Sequence, residues 1–222
     1  MIIYLSPSNQ PANRYVVGNT TEKIEMEQIA KLVAQELNLY NCKVKMATLS
    51  QPISYRYDEA KGCDLYLAIH SNAGSATARG AEAYYHPSSK ESKELAEALV
   101  KELNSISKYG SNRWKQVQSG MDAFNGAGYG EVREPWKRHK IPPVLLEVDF
   151  HSNKDTARWI IDNKVDIALA IVNALVKKYG LKKTVPNTMY YVQVGAFRYK
   201  KNAEELRDKL IKDGYNVYIK QE

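Results

Sequence analysis

The sequence has little cysteine and none of the segments that direct a protein into or through a membrane. Its 222 residues include only Cys42 and Cys63, which lack the C-x-x-C spacing of a zinc or redox motif. We interpret them as reduced, partly buried thiols. No stretch approaches the length needed to span a bilayer, so we expect no membrane insertion. Residues 1–5 carry neither a basic region nor a long apolar core, so no signal peptide is predicted.

The charge is positive but lacks the patterns typical of nucleic-acid binding. A formal net charge of +7 favours anionic partners such as nucleic acid, anionic membranes or acidic wall polymers. The sequence contains no basic run and no ladder of basic and aromatic residues, so we expect no nucleic-acid partner. A hydrophobic content of 44% with 26% charged residues is ordinary for a globular protein, which argues against disorder.

Apolar strands and amphipathic helices alternate through the first 180 residues. The pattern predicts strands over residues 2–5, 43–48, 64–70, 81–86 and 144–150, and helices over 22–39, 54–61, 90–105 and 155–179. This alternation favours an α/β fold of three layers, in which a mostly parallel twisted sheet is flanked by helices. Residues 108–140 lose periodicity and are interpreted as a long irregular insert, which in a compact domain is usually functional or mobile.

A break in the pattern separates a short C-terminal segment from the rest. Gly180 ends the last helix, and a lysine-containing stretch with Pro186 follows. We therefore predict a large domain at 1–180, a linker at 181–188 and a C-terminal segment at 189–222. Within that segment the pattern predicts a strand at 190–194, a helix at 201–213 and a strand at 215–220. This β-α-β fragment is too short to close a core, so we interpret it as an incomplete domain.

Three titratable residues are predicted to meet at one edge of the sheet. His70 ends an apolar run, and parallel strands deliver such residues to the carboxyl edge, where α/β folds build their sites. Glu22 opens the first helix, and Glu147 lies in a buried strand, where an unpaired carboxylate needs a partner or a solvated cleft. A histidine and a carboxylate can hold zinc with an open coordination position, while a second carboxylate handles the proton of the activated water.

Each of these residues also has a structural explanation. A histidine at the end of a strand often only bonds to backbone, and a glutamate in the first turn of a helix complements the helix dipole. The combination of all three at one edge favours the chemical interpretation.

Three stretches of the sequence resemble a known family. They are Ile69-His70-Ser71-Asn72-Ala73, the strand at 80–85, and residues 144–153, which run from the Glu147 strand into a Ser-Asn turn. Together with Glu22, they resemble the zinc-dependent N-acetylmuramoyl-L-alanine amidases of the Amidase_3 type, which occur as bacterial autolysins and phage endolysins. The resemblance covers roughly the first 180 residues.

The resemblance implies the roles of individual residues. Glu22 and His70 are implied as ligands of a Zn²⁺ cofactor, and Glu147 as the catalytic carboxylate. Asn72 and Glu82 are implied as substrate-binding residues. The implied substrate is peptidoglycan, cleaved at the amide bond between N-acetylmuramic acid and L-alanine. We hypothesise that the insert at 108–140, with its two tryptophans, binds the stem peptide or the anionic wall.

One ligand of the family has no matching histidine in this chain. The family's first ligand is a histidine that follows a strand and a proline-glycine pair, and Asn9 stands at that position. An amide oxygen is a poorer zinc donor than an imidazole, and Gln10, with its longer reach, is the alternative for the same ligand. His151 is a further candidate, although the resemblance places it in the turn beyond Glu147. Asn9 and Gln10 also fit an ordinary turn beside a proline.

The C-terminal segment resembles part of a second family. Residues 190–197, followed by Asn202-Ala203, resemble the first half of a SPOR domain, a module that binds glycan strands lacking stem peptides.

We therefore predict a peptidoglycan hydrolase. The alternative is a weakly metallated or inactive wall-binding module of the same fold. We expect the protein to be made in the cytoplasm and to reach the cell wall after lysis or holin-type release.

Overall fold

A computed structural model of the protein describes residues 1–184, 193–215, 217 and 219. The chain separates into two units, Met1–Val185 and Pro186–Glu222. The boundary between the units falls inside the linker that the sequence predicts at 181–188.

The first unit is built around a six-stranded sheet. Its strands are β1 (Ile2–Pro7), β2 (Lys43–Met46), β3 (Leu65–Asn72), β4 (Glu82–Tyr85), β5 (Val117–Ser119) and β6 (Pro143–Phe150). In the described part of the chain the strand order is β2-β1-β3-β6-β4-β5. Every neighbouring pair is parallel except β4 and β6, which are antiparallel. The predicted, mostly parallel sheet is confirmed.

Helices cover both faces of this sheet. They are α1 (Glu22–Leu37), α2 (Ile53–Glu59), α3 (Lys90–Ile106), α4 (Gly130–His139), α5 (Lys154–Asp162) and α6 (Lys164–Tyr179). Helices α1, α3, α5 and α6 contribute to the larger hydrophobic core on one face, and α2 and α4 pack on the other. The predicted three-layer α/β fold class is therefore confirmed.

Strand alternation decides which side chains face which layer. In β3, Leu67 and Ile69 point into the larger core, whereas Tyr66 and Ala68 belong to the smaller core under α2 and α4. His70 continues the second series, because successive side chains of a strand point to opposite faces. The end of β3 therefore presents His70 to the layer formed by α2 and α4.

The start of α1 is fixed by its own sequence. The Thr21 side chain accepts a hydrogen bond from the backbone N–H of Ile24, which makes Thr21 the N-cap and places Glu22 in the first turn. Met26, Ile29, Val33 and Leu37 follow at helical spacing and are fully buried. This apolar stripe holds α1 on the sheet, and the cap brings Glu22 over the carboxyl edge.

The segment interpreted as an irregular insert contains two regular elements. Strand β5 pairs with β4, and α4 follows with Pro135 in its interior. The helix ends at His139, and its C-cap residue Lys140 has a φ of 56°. The helix is mostly polar, and only its inner side is buried, through residues such as Val132. The regularly spaced apolar residues from which the other helices are predicted are therefore missing in α4. Trp114 is 92% exposed.

In the second unit, the structure describes a helix α7 at Lys200–Lys212 with no buried residue. The strands predicted at 190–194 and 215–220 fall largely outside the described residues. Over the residues that are described, no helix has the length and apolarity that crossing a membrane requires.

Candidate active site

His70 lies between two carboxylates that approach its ring from opposite sides. Its Nδ1 atom is 2.9 Å from Oε1 of Glu22, and its Nε2 atom is 2.7 Å from Oε2 of Glu131. All three side chains are at least nine-tenths buried. Burial alone would lower the pKa of His70, but the two carboxylates together raise this pKa well above its ordinary value.

The Nδ1 side of the ring contains amides. Asn13 Nδ2 donates to Oε2 of Glu22 at 2.7 Å and to Oε1 of Gln10 at 2.9 Å. Gln10 Nε2 in turn lies 3.4 Å from His70 Nδ1. Of the two residues predicted as alternatives for the third metal ligand, Gln10 is therefore the one in contact with His70, and Asn9 precedes it in the same loop. Their ligand roles stay predictions.

The Nε2 side of the ring is closed by a hydrogen-bonded network. Ser6 Oγ donates to Oε1 of Glu131 at 2.6 Å, and the Tyr66 hydroxyl donates to the same oxygen at 2.9 Å. Behind them, the fully buried Arg56 donates from Nη1 to Ser6 Oγ at 3.1 Å and to the Pro7 carbonyl at 2.6 Å. Burial by itself raises the pKa of Glu131, but His70 and the two hydroxyls outweigh it and lower the pKa.

Glu147 lies beside His70 on the neighbouring strand. The two residues are register partners in the parallel pair β3 and β6, and the register shifts directly after His70. Glu147 is 8% exposed, and its Oε2 atom is buried without a hydrogen-bond partner in the described part of the chain. Burial is the main cause that raises the pKa of Glu147 to about 8. His70 opposes this increase, and the carboxylates of Glu22, Glu82 and Glu131 add to it.

The residues predicted to bind substrate form a second polar group at this edge. Asn72 Nδ2 donates to Oε2 of Glu82 at 2.7 Å, and Arg113 Nε donates to Oε1 of Glu82 at 2.9 Å. Glu82 is also the register partner of Glu147 in the antiparallel pair β4 and β6. The Arg113 guanidinium packs over the Phe150 ring, 5.2 Å from its centroid. The Asn72–Glu82 pair therefore anchors an arginine from the 108–140 segment.

His151 has other partners. Its Nδ1 atom lies 3.0 Å from Ser71 Oγ, which also accepts a hydrogen bond from the Tyr15 hydroxyl at 2.8 Å. The Tyr15 and His151 rings stack with centroids 5.1 Å apart. Among the described residues, no group of three histidine, cysteine, aspartate or glutamate side chains is placed to hold a metal ion.

Sequence reasoning missed several members of this site, among them the buried charged residues Glu131 and Arg56. Glu131 comes from the non-periodic segment and Arg56 from a short polar helix, and charged side chains are rarely fully buried. The signal that points to Glu131 is weak, since it consists only of a glutamate in the first turn after Gly130.

Comparisons with known proteins agree on one family. Residues 8–177 match the model of the Amidase_3 family, N-acetylmuramoyl-L-alanine amidase, and residues 186–222 match that of the SPOR domain. The sporulation-specific N-acetylmuramoyl-L-alanine amidase of Bacillus subtilis (strain 168) is 27% identical over 164 residues, which are 71% of this chain and 57% of that protein. The chain therefore spans a little over half the length of this curated relative.

Solved amidase structures share the fold. The N-acetylmuramoyl-L-alanine amidase AmiC2 of Nostoc punctiforme has a TM-score of 0.68 at 16% identity, covering 81% of this chain and 97% of its own. An N-acetylmuramoyl-L-alanine amidase from Clostridium difficile 630 has a TM-score of 0.66 at 21% identity, covering 81% and 96%. The catalytic domain of the CD27L endolysin has a TM-score of 0.58 at 20% identity, covering 79% and 96%.

The family match and the fold rest on different data, one on residue patterns and the other on strand order and packing. The family model covers well over half of the chain, including β3 with His70 and β6 with Glu147. The resemblance predicted from the sequence is thereby confirmed. The chain belongs to the Amidase_3 family of N-acetylmuramoyl-L-alanine amidases.

Proposed function

We propose that the protein is a peptidoglycan hydrolase that cleaves the amide bond between N-acetylmuramic acid and L-alanine of the stem peptide. The observation that carries this proposal is the position of Glu147. A buried carboxylate, one oxygen of which has no hydrogen-bond partner among the described residues, lies on the strand next to His70, whose ring contacts Glu22 at 2.9 Å. In a chain of the amidase family, this arrangement supports a hydrolytic site rather than a binding surface alone.

We propose Zn²⁺ as the cofactor, held by Glu22, by Nδ1 of His70 and by the side-chain amide of Gln10 or Asn9. The donor chemistry fits, because carboxylate oxygen and imidazole nitrogen are ordinary zinc ligands and already lie next to each other. The Gln10 amide lies 3.4 Å from Nδ1, and ligation by its oxygen would require a turn of the amide that breaks the hydrogen bond from Asn13.

The charges around the site also fit a cation. Four buried glutamates, Glu22, Glu82, Glu131 and Glu147, lie near the ends of β3, β4 and β6. Their mutual repulsion contributes to the raised pKa of Glu147, and burial is the larger cause. When bound, zinc lowers the pKa of a coordinated water and polarises the scissile carbonyl.

Glu147 is proposed as the group that moves the proton. Its Oε2 atom is free to accept a proton from the attacking water and later to give it to the leaving amine of L-alanine. Without a metal ion, burial raises the pKa of Glu147 to about 8. The positive charge of a bound cation would lower this pKa, so that the carboxyl is ionised when it accepts the proton. Burial of the residue keeps bulk water from competing for the proton.

Substrate contacts are assigned to the neighbouring polar group. We propose that Asn72, Glu82 and Arg113 contact the stem peptide, with Glu82 orienting Arg113. The match of residues 186–222 to the SPOR domain supports binding of the second unit to glycan strands. The protein is proposed to be made in the cytoplasm and to act on the wall after lysis or holin-type release.

The test is Glu147→Gln, assayed on purified cell walls with added zinc. The variant is expected to release L-alanine amino termini at least about 100-fold more slowly, because it lacks the general base. Binding to walls, measured by co-sedimentation, is expected to be unchanged. The matched control is Glu97→Gln on the exposed surface of α3, which should retain full activity.

Two outcomes would contradict the proposal. Full release by Glu147→Gln would remove Glu147 from the mechanism. If the unaltered protein binds walls and releases no L-alanine amino termini at any zinc concentration, the protein is instead a wall-binding module of the same fold.

A further inference from the structure

Glu131 is a buried carboxylate for which the proposed reaction has no use. It lies in the first turn of α4, is 4% exposed, and places Oε2 2.7 Å from Nε2 of His70. This is the shorter of the two contacts that the ring makes with carboxylates, since Glu22 lies at 2.9 Å. A carboxylate in this position needs an explanation, because burying a charge is costly unless it is paired.

The network around Glu131 holds the carboxylate in one orientation. Oε1 accepts hydrogen bonds from Ser6 and Tyr66, which lie on adjacent strands of the sheet, so only Oε2 faces the histidine. Arg56 donates to Ser6 Oγ, so that the serine hydroxyl proton is left to point at Glu131. The carboxylate cannot turn away from His70 without breaking two buried hydrogen bonds.

The two sides of the imidazole are therefore different. The Nε2 side faces a carboxylate fixed by the sheet, α2 and α4. The Nδ1 side faces Glu22 and the loop amides of Gln10 and Asn13, which are the candidate ligands and their neighbours. A neutral imidazole carries a proton on only one of its two nitrogens. The nitrogen that donates a hydrogen bond to a fixed acceptor is the one that keeps the proton.

We propose that Glu131 is a positioning residue that accepts a hydrogen bond from the Nε2–H group of His70 and so presents the Nδ1 lone pair to the metal site. The inference rests on the proposed function in one respect, namely that a metal binds beside Glu22. A carboxylate that accepts the second N–H of a ligating histidine fixes the ring and increases the donor strength of the other nitrogen.

This role matters more in this chain than in a site with several imidazoles. Asn9 stands where the resemblance implies a histidine, so His70 is the one imidazole in the proposed ligand set. Any gain in its donor strength partly offsets the weaker amide ligand. Loss of such a partner typically costs 10–100-fold in metal affinity.

The test measures zinc affinity by competition with a chromophoric chelator, separately from wall hydrolysis. Glu131→Ala is expected to weaken zinc binding by about 10–100-fold. Glu131→Gln keeps a neutral acceptor for Nε2–H and should lose less. The matched control is Glu134→Gln on the same helix, whose side chain contacts Arg133 and Arg138 rather than His70, and which should bind zinc like the unaltered protein.

A second readout reports on the ring itself. In the zinc-loaded protein, ¹⁵N NMR of His70 is expected to show a protonated Nε2 and a metal-bound Nδ1. Circular dichroism checks that each variant is folded, and if Glu131→Ala does not fold, Glu131→Gln and Tyr66→Phe carry the affinity test. Tyr66→Phe removes one of the two hydroxyl donors to Glu131 and should weaken zinc binding only slightly.

The results separate this inference from the proposed function. Unchanged zinc affinity in the folded Glu131 variants, or zinc on Nε2, would overturn the role of Glu131. Absence of zinc binding in the unaltered protein would overturn it together with the cofactor. Glu131-dependent zinc binding without any wall hydrolysis would support the inference and contradict the proposed reaction.

Discussion

The surroundings of Glu131 and of Glu147 differ, although both are buried glutamates on the same side of the sheet. The oxygens of Glu131 accept hydrogen bonds from Ser6 and Tyr66 and contact His70, and its pKa is lowered. Glu147 keeps Oε2 unpartnered within the described structure, and burial raises its pKa to about 8. Burial alone does not identify a reactive group. The hydrogen bonds that a buried carboxylate accepts distinguish a residue that stays ionised from one that is able to exchange a proton.

The same substitution at the two sites is the strongest test of this contrast. Glu131→Gln is expected to lower the free energy of unfolding by about 2–4 kcal/mol, because it weakens bonds to a charged histidine inside the protein. Glu147→Gln is expected to raise it by about 1–3 kcal/mol at pH 7. At pH 7 the Glu147 carboxyl must take up a proton when the protein folds, because its pKa is near 8 in the folded protein and near 4.5 in a free glutamate. This uptake lowers the stability of the unaltered protein, and glutamine avoids it. Urea unfolding with a metal chelator present measures both, and shifts in the same direction would remove the contrast.

A second test uses pH and another carboxyl of β6. Asp149 Oδ1 accepts from the backbone N–H of Gly80 and of Phe150, its Oδ2 has no partner among the described atoms, and burial raises its pKa to about 6. The pKa of Asp149 in the folded protein lies above its unfolded value near 3.8. The protonated carboxyl therefore contributes fully to the free energy of unfolding below pH 3.8, and this contribution is lost as the pH rises through about 6.

Asp149→Asn is expected to lack this decline. The difference in unfolding free energy between the unaltered protein and the variant should fall by about 2–3 kcal/mol from pH 3.5 to 6.5 and then level off. Asp122→Asn, at an exposed turn, is the control and should follow the unaltered protein at each pH. If the difference in unfolding free energy between Asp149→Asn and the unaltered protein does not change with pH, burial does not raise the pKa of Asp149.

The smallest expected effect concerns the way Glu22 is held. Glu131 depends on contacts from distant parts of the chain, whereas Glu22 is placed by the local cap of α1. Thr21→Ala should lower the unfolding free energy by about 1 kcal/mol, because the N–H of Ile24 loses its acceptor. Thr21→Ser should restore most of the loss. Equal stability of all three proteins in urea unfolding would mean that the cap does not hold the start of α1.

These differences explain how much of the molecule could be predicted from its sequence. The fold follows from local signals, such as the apolar runs of β3 and β6 and the stripe of α1. The same signals predicted that His70, Glu22 and Glu147 lie at one edge, since strand ends and helix starts of an α/β fold meet there. The structure brings these three together, and their chemical roles stay predictions.

The remainder of the site depends on contacts that leave no local pattern. Glu131 is 61 positions from His70 along the chain and comes from a polar helix with Pro135 in its interior. Arg56 is fully buried against β1, yet its neighbours in sequence are mostly polar. Their positions follow from how α2 and α4 pack on the sheet, which periodicity in a single segment does not reveal.

The register of β3 and β6 has a consequence for how this active site can change over evolution. His70 and Glu147 are direct partners across two hydrogen-bonded strands, so the spacing of the strands, near 4.8 Å, sets the separation of their backbones. Gln10 and Asn9 instead lie in a loop, which tolerates replacement and changes in length. The sheet thus fixes the separation of His70 and Glu147 on which the proposed reaction depends, and the loop can exchange one proposed ligand for another without altering that separation.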